Sequence, residues 1–158
     1  MRIFAALTAS FILLTTSCST PTRPETAPTP DGLNVVLVVA RELRSGYGPL
    51  GVGDRFPLEG RMVGYASLTW SDVNLVWGQP IFEWRWYSAD RLIKRSQAGA
   101  KIGKPPHYVW NITQPIALGV GKGHVEFLLN DRVLATRAFE VVDTASTPVP
   151  APAKDSRT

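Results

Sequence analysis

Few residues in this chain have the type and spacing to do chemistry. The two histidines, His107 and His124, are the first candidates. General acid–base work needs a titratable group held within reach of a second one. Glu126 is the carboxylate nearest to either in sequence, and it stands alone. A zinc site needs three or four converging ligands, so neither a metal nor a catalytic set is expected. If the chain were an enzyme or an enzyme inhibitor, its site would lie near His107 and His124. No nucleophile elbow is present. Gly46-Tyr-Gly-Pro-Leu-Gly51 matches the dinucleotide-binding glycine spacing. That motif works only when a helix then opens onto the pyrophosphate. Val52, Gly53 and Pro57 follow instead, so Ser45 to Gly60 is expected to be a loop. Gly119-Val-Gly-Lys-Gly-His124 lacks the spacing and the hydroxyl residue of a phosphate loop; a turn leading into a hairpin is expected. No cofactor is implied.

Charge offers a different chemistry. Arg85, Arg91, Lys94, Arg95, Lys101 and Lys104 occur in one stretch against Asp90 alone. Arg91, Lys94, Arg95, Lys101 and Lys104 are candidates for contact with an anionic surface such as lipid headgroups, lipopolysaccharide or peptidoglycan. The plain alternative is a solvated strand face and loop. The formal net charge of +4 and pI near 9.5 favour weak attraction to anionic surfaces and do not point to nucleic acid. Five tryptophans suggest a third possibility, a sugar-stacking platform. Trp84 and Trp86 belong to a core-facing pattern, which leaves Trp70, Trp77 and Trp110 for it, beside Lys101 and Lys104.

The elements that would position these groups read as strands. In Ile81-Phe-Glu-Trp-Arg-Trp-Tyr87 the rings of Phe82, Trp84 and Trp86 alternate with Glu83, Arg85 and Tyr87. A period of two puts three large rings on one face of a strand. Leu33–Leu43 is rich in valine, whose branched side chain favours strand. Arg61–Trp70 follows, with Val63, Tyr65 and Ser67 on one face and Met62, Ala66 and Leu68 on the other. Val73–Trp77, a return strand from Leu92, His107–Ile112 and Ile116–Leu118 are further short strands. Val125, Phe127 and Leu129, a turn at Asn130-Asp131, and Val133–Val142 form a hairpin. Thirteen glycines and thirteen prolines in 158 residues punctuate these runs. The pattern predicts an all-β sandwich of about seven or eight short antiparallel strands, with disordered termini.

The amino terminus reads as an address. Met1-Arg2 precedes an apolar run from Ile3 to Leu14, too short for a membrane span and suited to a signal peptide. Thr15-Thr-Ser-Cys18 resembles the lipobox of bacterial lipoproteins. That resemblance implies cleavage before Cys18 and its acylation, and Ser19 in the next position implies the outer membrane. The expected organisation is a signal peptide over 1–17, a lipidated Cys18 with a Pro/Thr-rich tether over 18–30, a folded domain over 31–143 and a Pro/Ala-rich tail over 144–158. Two further stretches carry resemblances. Phe82-Glu-Trp-Arg-Trp-Tyr-Ser-Ala-Asp-Arg-Leu92 is similar to the central strand of small, uncharacterised outer-membrane lipoproteins. Gly123 to Val141 looks like the closing hairpin of bacterial immunoglobulin-like accessory domains. Both imply a β-sandwich, the second an immunoglobulin-like one, and neither implies a reaction. The expectation is a lipid-anchored, non-catalytic protein at the periplasmic face of the outer membrane. It would bind an envelope protein or a polymer such as peptidoglycan or lipopolysaccharide.

Overall fold

The computed structural model describes residues 32–144, apart from Tyr47, Val76, Gly78, Gln79 and Ala100. The strands are β1 (Asn34–Ala40), β2 (Glu42–Arg44), β3 (Gly48–Leu50), β4 (Arg55–Pro57), β5 (Met62–Thr69), β6 (Ile81–Ser88), β7 (Arg91–Gly99), β8 (His107–Thr113), β9 (Gly121–Leu129) and β10 (Arg132–Val142). One helical turn, α1 (Pro115–Leu118), separates β8 from β9. A three-stranded sheet has the order β1-β5-β8, and a five-stranded sheet the order β4-β10-β9-β6-β7. Within them neighbours run antiparallel except β4, which lies parallel to β10. This order matches strands A-B-E against A′-G-F-C-C′ of an immunoglobulin-like sandwich, the fold expected from the strand pattern and the closing-hairpin resemblance. A small β2-β3 hairpin stands apart from both sheets.

The two inner faces meet on the aromatic strand. Phe82, Trp84 and Trp86 are all buried. Phe127 of β9 lies against Phe82 at 5.4 Å and Trp84 at 4.7 Å between ring centroids, and Phe139 of β10 against Trp86 at 5.9 Å. Facing them, Leu37 and Val39 come from β1 and Met62, Ala66 and Leu68 from β5. The inward position between Met62 and Ala66 is Gly64. A Cβ there would stand 2.6 Å from Cζ3 of Trp84 and 3.1 Å from Cζ2 of Trp86. The missing side chain therefore lets both indoles lie on the opposite sheet.

The closing hairpin turns as its sequence predicts. Asn130 (φ 49°) and Asp131 (φ 66°) both adopt left-handed backbone, the requirement of a two-residue turn that matches strand twist. The Asn130 backbone N–H donates to Ile81 O at 3.0 Å, and its Oδ1 accepts from the Ile81 N–H at 3.0 Å. The turn is thereby tied to the start of β6.

Several elements differ from expectation. Ser45–Gly60 is not simply a loop, since it contains β3 and β4. The expected first strand breaks at Arg41, and Glu42–Arg44 leaves the sheet to pair with β3. No described residue of 73–77 is in a strand; Asp72 Oδ1 accepts the Asn74 N–H at 2.9 Å and turns the chain there. Residues 116–118 are helical, because Pro115 at the first turn favours a helix start. Gly119–His124 is mostly strand β9. Its Gly123 is set by close approach: a Cβ would meet Tyr87 O at 2.4 Å and the Phe139 ring at 2.7 Å. The lipidation residue Cys18, its tether and the tail beyond Thr144 lie outside the described residues.

Candidate functional site: an aromatic groove on the three-stranded sheet

The outer face of the three-stranded sheet carries side chains that a surface sheet normally avoids. Register places Val36, Ser67 and Tyr108 in one row, Val38, Tyr65 and Trp110 in the next, and Ala40, Val63 and Ile112 in the third. Ala40 and Val63 are buried, at the end of the sheet where the β2-β3 hairpin departs. The other end stays open. Tyr108 is 46% and Trp110 52% exposed. They stand two residues apart on β8, so their rings share a face about 6–7 Å apart along the strand. Tyr65 stacks on Tyr108 with centroids 5.6 Å apart at 25°.

The β2-β3 hairpin converts this face into a groove of about 620 Å³. Leu43, Arg44, Ser45 and Pro49 form one wall and the three aromatic side chains form the other. Gly46 and Gly48 both have φ of 78°, which lets the hairpin bend back over the sheet. The volume falls within the range of small-molecule and oligomer sites. Burial raises the Tyr65 phenol above its ordinary value, and Tyr108 beside it adds to the effect. Tyr65 therefore remains a neutral hydroxyl, both donor and acceptor, at physiological pH. A second hollow of about 430 Å³, by Arg41, Arg55 and Asp143, has no aromatic wall.

The expected basic patch is divided. Lys94 and Arg95, adjacent on β7, point to opposite sides. Lys94 Nζ donates to the Ile112 carbonyl on β8. Arg95 turns to the outer face of the five-stranded sheet, where its Nε and a terminal nitrogen donate to Glu83 at 2.8 and 2.7 Å. Arg85 and Gln97 donate to the same carboxylate. Glu83 is only 1% exposed. Burial alone would push its carboxyl up, but the hydrogen bonds from Arg95, Gln97 and Arg85 outweigh that and hold it down to about 2. Arg85 and Arg95 are thus partly committed to a structural carboxylate one strand position away. Arg91, Lys101 and Lys104 remain exposed. Lys101 and Lys104 sit in the segment that feeds directly into β8, at the Tyr108 end of the groove.

The histidines do not meet. His107 belongs to β8 and is half-buried, and burial pushes its imidazole down. His124 lies on the outer face of the other sheet, stacked on Tyr87 at 4.3 Å and 9°, while Tyr87 donates to Glu126 at 3.2 Å. Among the described residues no group of three or more His, Cys, Asp or Glu is placed to hold a metal. The tryptophan platform is corrected in the same way. Trp70 and Trp77 are 6% and 7% exposed and pack edge to face at 4.9 Å, so only Trp110 of the three is available. Nothing in the sequence marks Tyr65 and Tyr108 as ligand contacts. Their spacing of two from Ser67 and Trp110 signals one face of a strand, but only the sheet register sets Tyr65 beside Tyr108 and Trp110.

Fold and site together define an immunoglobulin-like sandwich with an open aromatic groove on its smaller sheet. No protein-family model matches the chain, and no curated protein matches it. Among solved structures, an immunoglobulin-like protein from Pseudomonas aeruginosa is similar at 12% identity and a TM-score of 0.44, over 69% of this chain and 92% of that one. An alkylpurine DNA glycosylase of Pseudomonas fluorescens, solved bound to DNA with an abasic-site analogue, is similar at 13% identity and a TM-score of 0.43. That match covers 69% of this chain and 30% of the glycosylase.

Proposed function

We propose that this is a lipid-anchored, non-catalytic binding protein of the bacterial envelope. Acylated Cys18 holds it at the periplasmic face of the outer membrane, and the groove on the three-stranded sheet is its recognition site. The observation that carries the reading is the pair Tyr108 and Trp110, exposed on one strand beside a walled groove. Large rings left in water are costly to keep for packing alone, and aromatic and arginine side chains dominate recognition surfaces. The separation of His107 from His124 weighs against an enzyme or inhibitor built around them. The tether over 18–30, with prolines at 21, 24, 28 and 30, would carry the domain off the membrane at about 3 Å per residue.

Anchor and site have separate tests. Cys18→Ala should abolish incorporation of a fatty-acid analogue in growing cells, because Cys18 is the chain's one thiol. Equal labelling of both proteins would rule out the anchor. A photoreactive residue at position 110 should crosslink to an envelope component in intact cells, while one at Ala138, on the outer face of the five-stranded sheet, should not. Equal crosslinking from both positions would remove the groove as the recognition site.

A further inference from the structure

The chemistry around the groove is specific enough to name a class of ligand. We infer that it takes an anionic glycan chain, an inference that rests on the groove being the recognition site. Tyr108 and Trp110 offer two flat faces on one strand, about one sugar repeat apart, and sugar rings present apolar C–H faces that stack on such surfaces. Around the rings stand groups that serve hydroxyls rather than apolar side chains. The Tyr65 phenol, kept neutral, is one, and Ser45 and the Tyr108 hydroxyl are others.

Cations flank the rings. Arg44 rises from the hairpin wall. Its partner Glu42 is 3.8 Å away and both side chains are more than half exposed, so this pair is weak and easily exchanged. Outside the groove's lining, Lys104 precedes Tyr108 by four residues, its Cα within about 14 Å even if the chain is fully extended. Lys101 and Lys104 are exposed and make no ion pair with any described residue. A chain of sugars carrying carboxylate or phosphate would lay rings on Tyr108 and Trp110 and reach Arg44 on the hairpin wall and the lysines that precede β8. Peptidoglycan and lipopolysaccharide both supply that chemistry. A neutral glycan would use only the rings. An apolar peptide would gain nothing from the cations.

Among the five tryptophans Trp110 alone is open to solvent, so ligand quenching of indole emission reports on this site. The full unlipidated chain would be titrated with soluble peptidoglycan fragments, with lipopolysaccharide and with an uncharged β-glucan. Saturable quenching by one or both anionic glycans is expected, with the uncharged one at least severalfold weaker. In co-sedimentation Tyr108→Ala or Trp110→Ala should each weaken binding about tenfold, the loss of one stacked face. Lys101→Ser with Lys104→Ser should weaken it severalfold. Wild-type binding should fall with salt, since screening acts over about 10 Å at 0.1 M. Thermal melts should stay unchanged for the lysine variant, whose side chains are exposed, and fall only slightly for the two ring variants, whose rings are about half exposed. The responding glycan identifies the source. Equal binding of the uncharged glucan, or binding indifferent to the lysines and to salt, would overturn the anionic assignment. No glycan binding, with crosslinking to protein from position 110 intact, would overturn the glycan and leave the groove as a protein-recognition site. Loss of both would remove the groove reading itself.

Discussion

Trp86→Ala is expected to destabilise the domain by about 3–5 kcal/mol, the usual cost of emptying a buried site of this size. Trp86 is fully buried. Its indole touches Phe139 and closes over the space above Gly64. Its Nε1 donates to Asn111 Oδ1 at 3.0 Å, and Asn111 Nδ2 donates onward to Ser96 Oγ at 3.1 Å. This is a side-chain bridge between the five-stranded sheet and β8. The truncation therefore removes packing and also strands an amide between the sheets. Trp86→Phe would keep most of the ring but lose the hydrogen bond, and should cost markedly less. Arg85→Ala, on the opposite face, should also cost less, because Arg95 and Gln97 still hold Glu83. Urea melts of the three variants give the order. If Arg85→Ala proved costlier than Trp86→Ala, the inner face would not be the dominant source of stability.

Glu83 should make the domain acid-sensitive. Its carboxyl lies at about 2 in the folded chain against an ordinary 4.5. A group whose pKa is depressed by folding adds stability above its unfolded value and loses it as pH falls through the folded one. The window is thus from about 4.5 down to about 2. Two and a half units at 1.36 kcal/mol each, reduced because Arg95 is half in water, gives about 2–3 kcal/mol. Other carboxylates also titrate in this range, so the comparison with Glu83→Gln isolates the effect. Wild type should lose about 2–3 kcal/mol more than the variant across the window. Parallel pH profiles would show that the Arg85–Glu83–Arg95 cluster does not couple to folding. At neutral pH Glu83→Gln should be the less stable protein, since two guanidinium groups lose their carboxylate.

Strand identity was legible wherever one face is buried. Phe82, Trp84 and Trp86, then Val125, Phe127 and Leu129, alternate because a pleated strand sends successive side chains to opposite faces, and Asn130-Asp131 declares its turn through residues that tolerate positive φ. The short elements were not legible. β3 and β4 are each three residues long, too few for a period to show, and β4 exists only because β10 offers it an edge. Buried Glu83 was hidden for a different reason. It occupies the charged face of β6 as the alternation requires, and it is buried by Arg95 and Gln97 from the neighbouring strand. The basic run from Arg91 to Lys104 was real as composition, yet alternation along β7 parts Lys94 from Arg95, and pairing with β6 commits Arg95 to Glu83. The groove was the least visible feature. Tyr65 and Trp110 are partners only through the antiparallel register of β5 and β8, and the wall opposite them comes from a hairpin that leaves the sheet. Sequence by itself determined which residues face inward, because burial imposes a local period. Tertiary structure decided which outward residues meet, because that depends on register and sheet order, which join positions far apart in the chain.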